Sequence, residues 1–457
     1  MIVYWLFFLA YVAYALYDIR KAIILWPPIH LLVNQAEVLW TFTPLLAIRE
    51  AVSISLFLIF IFKGGYNNKI EGLNREPFLL KSVCVMYLIS YGLSTLFSEY
   101  NNMQSLIFSL KFFLDSFILV FLFQKCLSTS EDVKLFTYGC ICVTFIIVSL
   151  ALSEFLLHRN VWQDYVYRVN KLPLEQFLGR TWYIPPEATS AGEFIGRFGL
   201  LRCYSTFGIH LGFGSACALM LFYVGSLFKS GYNNINKRLI TISLVLLIVG
   251  TFLSNSKGPM LLMFVILFMI FKASDVFRPK IMVACVTGVV VLFTYFPGYI
   301  TSIMSLSNKE LAEEDGGSTV ELREKQLEVA LNLFSTSPII GHGPQSLRKI
   351  KNTVEGDGIL GAESVWLKTM PERGLLGVFA FLSFYLFVLL KFRTVIPLYD
   401  LIIILLGLGL IETTNGQRDM LLYVPLFIAL YRFHCFRVLG DDKKQKVTFE
   451  NEKNSKY

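Results

Sequence analysis

Residues 239–272 read LITISLVLLIVGTFLSNSKGPMLLMFVILFMIFK. Two apolar runs flank one short polar turn, Ser254-Asn-Ser-Lys-Gly-Pro259. Each run approaches the length that crosses a hydrocarbon core. Neither shows the alternation of a barrel strand, so in lipid each satisfies its backbone only as a helix. This stretch is therefore a transmembrane hairpin, and the rest of the chain repeats the theme. The 457 residues are 55% hydrophobic and 15% aromatic, with a mean hydropathy of +0.59. That composition excludes a soluble globular protein.

Scanning outward gives about thirteen apolar segments of spanning or near-spanning length. They run from 2–17 at the start to 419–434 near the end. The first, Ile2 to Tyr17, lacks a preceding basic region and is read as a retained helix. The weakest, 22–40, holds Trp26-Pro27-Pro28 and is expected to be broken. The expected fold class is all-α: a polytopic membrane helical bundle of about 12–13 transmembrane helices. One bundle would span 1–434, with extracytoplasmic loops at 158–203 and 301–373 and a polar, disordered cytoplasmic tail at 435–457. The second loop is read as lacking an apolar core of its own.

The net charge of +8 is orientation chemistry and not a nucleic-acid signal. Lys and Arg concentrate at Arg20-Lys21, Lys63 to Lys81, Lys125 and Lys134, Lys229 to Arg238, Lys272 to Lys280, Lys391 and Arg393, and the tail. The positive-inside rule makes these connections and the C-terminus cytoplasmic. The eight cysteines show no metal spacing and read as small apolar filler. No metal and no cofactor is expected.

Charges inside or at the outer mouths of helices require a partner or a task. Lys111 and Asp115 are spaced to pair on one helix face. Glu154 and Glu412 end their segments and read as interfacial caps. Arg197 and Arg202 precede Tyr204-Ser-Thr-Phe-Gly208, Lys257 sits in the hairpin turn quoted above, and Arg323 opens the second loop. Each is either a cation snorkelling to water or part of a cluster that binds a diphosphate. Arg418 is a further outer cation. Glu363, in Glu-Ser-Val-Trp-Leu367, is either a helix-terminal dipole partner or a general base. His342, between two glycines in Gly341-His-Gly-Pro344, is a second candidate base. Trp366 is either an interfacial anchor or a sugar-stacking ring.

The order of these pieces resembles the O-antigen polymerase/ligase superfamily. The motifs concerned are Arg323-x-x-x-Leu327, Pro338-Ile-Ile-Gly-His-Gly-Pro344, and Glu363 followed after ten residues by Gly374-Leu-Leu-Gly377. Arg202 to Phe207 and Ser256-Lys257-Gly258 match two earlier features, the second with Lys in place of the usual Arg. The resemblance spans residues 200–380. It implies a glycosyltransferase-C-like, metal-independent inverting enzyme on the outer face of the cytoplasmic membrane. The substrates would be glycans on undecaprenyl diphosphate, amid membrane lipids, with a chain-length regulator and a flippase as partners. Arg202, Lys257, Arg323 and Arg197 would hold the diphosphate, and Glu363 would deprotonate the acceptor hydroxyl. Members that ligate finished glycan to lipid A core usually carry His at the Glu363 position, which points this chain to repeat-unit polymerisation. A ligase onto lipid or protein is the alternative within the family. A lipid-linked oligosaccharide flippase or transporter is the alternative outside it.

Overall fold

A computed structural model gives the fold. It describes residues 2–33, 48–63, 77–97, 106, 110, 118–160, 196–197, 200–207, 210–231, 235–270, 320–344, 346–350, 364–393, 401–402, 405–406, 409 and 424–436. The described residues are overwhelmingly helical. In chain order the helices are α1 (Ile2–Tyr17), α2 (Ile19–His30), α3 (Ile48–Phe62), α4 (Pro77–Leu96), α5 (Leu119–Cys126) and α6 (Ser130–Leu157). A two-residue ribbon follows, β1 (Gly196–Arg197) and β2 (Leu200–Leu201), antiparallel with Gly196 opposite Leu201. Then come α7 (His210–Lys229), α8 (Lys237–Leu253), α9 (Lys257–Ile270), α10 (Val320–Thr336), α11 (Leu347–Ile350) and α12 (Val365–Phe392). A last apolar helical stretch covers Val424–Phe436.

Ser130–Leu157, His210–Lys229 and Val365–Lys391 are long and apolar enough to cross a membrane. Shorter apolar helices pack around them. The hub is α7, buried along nearly its whole length from His210 to Leu227. Small residues allow this close approach. A Cβ at Gly214 would strike Ser254, one at Gly225 would strike Ile270, and one at Gly250 would lie 2.8 Å from Cys217 Sγ. The helices α8 and α9 thus close on α7, and α6 packs against α8. Several internal groups find partners: Tyr11 OH donates to Ala22 O (2.7 Å), Trp26 Nε1 to Ser53 Oγ (3.2 Å), and Thr137 Oγ1 bonds Tyr223 OH (2.9 Å).

Arg20 and Lys63 hold neighbouring helix ends. Arg20 pairs with Asp132 and donates to Ser128 Oγ (2.8 Å) and Cys126 O (3.2 Å). Lys63 Nζ donates to Leu16 O. Thr129 and Asp132 form a capping box that starts α6 at this end. The helix α2 begins earlier than the expected 22–40 segment. Arg20 and Lys21 lie within it, and Asp18 alone joins it to α1, capping α2 through Lys21 N. It runs through Pro27 and Pro28 and then tightens into a 3-10 turn at Leu31–Val33.

Two further expectations change. The segment 320–350 is not a loop without a core. The helices α10 and α11 bury Ala330, Leu333, Leu347 and Ile350 against Leu367 of α12. And α12 begins at Val365, so the Pro371-Glu-Arg-Gly374 sequence falls inside a helix rather than before it. The Lys111–Asp115 pair, Glu412, Arg418, Glu363 and the tail beyond 436 lie outside the described residues.

Candidate active site

At the end of the bundle opposite Arg20, the chain between β2 and α7 makes a turn with Ser205 at φ 53°. A left-handed serine costs backbone energy and needs fixed partners. Glu154, in the last turn of α6, supplies them. Its Oε2 accepts from Tyr204 N (2.9 Å) and Ser205 N (2.8 Å), and the carboxylate is only 2% exposed. Ser205 Oγ donates to Ile147 O (2.6 Å), Asn160 Nδ2 to Ser205 O (3.2 Å), and Thr206 Oγ1 to Leu31 O (3.0 Å). Glu154 is therefore no interfacial cap. It is a buried anchor that organises the turn following Arg202. Burial first, and the Glu154 charge second, push the Tyr204 hydroxyl well above the ordinary tyrosine range, so it stays neutral.

This turn is tied to the α8–α9 hairpin by Cys203 N donating to Leu253 O (3.0 Å). Two residues beyond that bond lies Asn255, at φ 45° and 2% exposed. Both polar atoms of its side chain are buried without a hydrogen-bond partner. One residue before the bond lies Arg202, whose Nε is also buried without a partner. Lys257 opens α9 on the same hairpin and is half-buried. Unsatisfied buried polar groups are rare and mark places where a ligand or water completes the set. The structure thus brings Arg202, Lys257 and the unforeseen Asn255 onto adjoining turns. The backbone of Arg197 pairs with Leu200 in the ribbon that leads into them.

The second motif region forms a different device. Pro371 and Gly374 (φ 61°, ψ −156°) break the ladder of α12. The 338–343 turn inserts there. Leu375 N donates to Pro338 O (2.8 Å) and Leu376 N to Ile339 O (3.1 Å), while His342 N donates to Pro371 O (2.8 Å) and Gly343 N to Glu372 O (2.9 Å). Four backbone groups orphaned by the break are all satisfied by one turn. Gly341 (φ 69°) is obligatory, because a Cβ there would overlap Arg373 N and the Glu372 carbonyl. The two motifs, separated in sequence by α11 and residues 351–363, are halves of one joint.

His342 belongs to that joint. Its ring is buried, and Nε2 lies 2.9 Å from Leu333 O and 2.8 Å from Thr336 Oγ1. A carbonyl only accepts, so Nε2 carries the proton and fastens the end of α10. This placement does not support the role of base. Trp366 is half-buried, edge-on to Phe381 (4.5 Å) and beside Tyr385 (6.4 Å). Arg323 sits in the first turns of α10, whose other end the joint holds. Glu363 immediately precedes Ser364, the N-cap of α12, whose Oγ accepts from Leu367 N (3.5 Å).

Residues 242–382 match the family model described as O-antigen ligase. No curated protein and no solved structure matches the chain. The matched span covers Asn255, Lys257, Arg323, Glu363 and both halves of the joint. It excludes Arg202 and Glu154, which reach the same turns from outside it.

Proposed function

From the match of residues 242–382 to the family model described as O-antigen ligase, we propose that this integral membrane protein polymerises lipid-linked oligosaccharide repeat units. One observation carries the reading: the unpartnered, buried Arg202 Nε and Asn255 amide beside Lys257, on turns clamped together by Glu154 and the Cys203–Leu253 bond. Fixed cations and open donors in a low-dielectric mouth suit a diphosphate that gains charge as it departs.

In the proposed reaction the donor is a growing glycan on undecaprenyl diphosphate and the acceptor is one repeat unit on the same carrier. Glu363 takes the proton from the acceptor hydroxyl. The hydroxyl oxygen attacks the anomeric carbon with inversion, and the bond from that carbon to the diphosphate oxygen breaks. Arg202, Lys257, Arg323 and Arg197 neutralise the released undecaprenyl diphosphate, and Arg418 is a further candidate. The proton leaves Glu363 for water. The end bearing Glu154 and Lys257 faces outward from the cytoplasmic membrane, and the end bearing Arg20 and Lys63 faces the cytoplasm, where positive charge is retained. The donor's glycosyl-diphosphate bond already holds the driving force, so nucleotide binding is not required.

Ligation of finished glycan to another acceptor is the second reading, and the family model's own description supports it. Glu363, where such ligases usually carry His, favours polymerisation. The test is polysaccharide profiling in a strain lacking this chain, complemented with wild type, Glu363→Gln, Arg323→Ala or Arg202→Ala. A ladder from wild type, with one-repeat glycan from the variants, is expected. Long polymer left on its lipid carrier in the deletion strain would establish ligation instead, and full ladders from every variant would overturn the site.

A further inference from the structure

Arg373 lies in the break of α12 and is 5% exposed. Its guanidinium carbon sits 4.4 Å from the ring centroid of Tyr91 and 5.7 Å from that of Tyr87, both on α4. Nη2 donates to Thr369 Oγ1 at 3.0 Å. Nη1 is buried and has no hydrogen-bond partner. Among the described residues no ion pair involves Arg373. An arginine cannot shed its charge, so burial without an anion is costly.

The surroundings keep this residue in place rather than merely tolerating it. A Cβ at Gly377 would strike Arg373 Cβ and lie 3.4 Å from its Nε. The second glycine of Gly374-Leu-Leu-Gly377 therefore clears the room that the side chain occupies. The carbonyls nearest the break are already taken: Pro371 O by His342 N, and Glu372 O by Gly343 N and by Ser94 Oγ (2.7 Å). The joint thus consumes these two carbonyls, and Nη1 is left without an acceptor. Two tyrosine faces stabilise a cation but do not neutralise it.

We propose that Arg373 is an anion-recognition residue whose open Nη1 donor binds a phosphate oxygen of a polyprenyl diphosphate. The residue sits on α12, the helix whose N-cap, Ser364, directly follows Glu363 in sequence. The assignment rests on the reading of the protein as an enzyme of lipid-linked glycans. It adds a second anion contact on α12, apart from the outer turns that carry Arg202 and Lys257.

The experiment uses the full chain purified in a neutral detergent. Farnesyl diphosphate is the probe, with farnesol and phosphatidylglycerol as comparisons. Binding and thermal unfolding are measured for wild type, Arg373→Lys and Arg373→Met. The expected result is about a tenfold or larger loss of farnesyl diphosphate affinity in Arg373→Met, with partial retention in Arg373→Lys and an undiminished melting temperature in both without probe. The diphosphate, but not farnesol, should raise the melting temperature of wild type. Equal displacement of the probe by phosphatidylglycerol would reassign the site to a phospholipid headgroup. A lower melting temperature in Arg373→Met with unchanged affinity would make Arg373 structural and overturn the proposal. If binding depends on Arg373 while the strain lacking this chain still makes full-length polymer, the site stands and the polymerase reading falls. If Glu363→Gln abolishes the ladder while binding ignores Arg373, this proposal alone falls.

Discussion

The turn at 203–207 and the break in α12 solve the same problem by opposite means. Both are irregular backbone in a protein whose lipid-facing parts tolerate none. At the turn, a buried carboxylate side chain, Glu154, holds two backbone donors. At the break, no side-chain charge is used, and a glycine-bearing turn supplies four backbone bonds. The consequences differ. The carboxylate anchors the backbone and leaves the neighbouring Arg202 Nε and Asn255 amide unspent. The backbone joint uses all that it exposes, and its surplus is a single cation, Arg373. The first arrangement is suited to receiving a ligand at that end of the bundle, and the second to holding α10 against α12.

The sharpest way to break the comparison is Gly341→Ala. The added Cβ overlaps backbone, and the residue sits at φ 69°. We expect destabilisation on the order of 3 kcal/mol or more, read as loss of the thermal transition in detergent. A mild effect would mean that the joint is not rigid.

Next in size is Glu154→Ala, which strands two buried N–H groups and should cost about 2–5 kcal/mol. Glu154→Gln keeps an acceptor oxygen and should lose less than half as much in the same melt. Equal losses from both would show that charge, rather than acceptance of these two bonds, is what Glu154 contributes.

Asn255→Gly separates fold from function at the outer turn. It removes the unpartnered amide and relieves the left-handed backbone, so stability should stay within about 0.5 kcal/mol of wild type or rise. Polymer yield should fall about tenfold, the scale of one lost ligand hydrogen bond. A full ladder would remove Asn255 from the site.

The smallest effect is expected for His342→Ala. Losing the bond to Leu333 O should cost about 1 kcal/mol, with ladder length retained once variant protein levels are matched. Abolished polymer at normal stability would restore His342 as a base.

Much of this protein was legible in its residues. Long apolar runs have one backbone solution in lipid, so the helical membrane class followed from composition. The motif glycines and Pro338 were visible, as was the place of Arg202 and Lys257 beside helix ends. What the chain order hid was partnership. Glu154 looks like a helix-end charge until Tyr204, fifty residues later, comes back to it. Gly341 and Gly374 look like two loop glycines until the turn enters the helix break. Asn255 and Arg373 stand out only because burial shows what they lack, and lack of a partner has no signature in sequence. Hydrophobicity acts on each segment alone and is therefore local. A hydrogen bond needs two groups at about 3 Å, and which two meet is decided by packing.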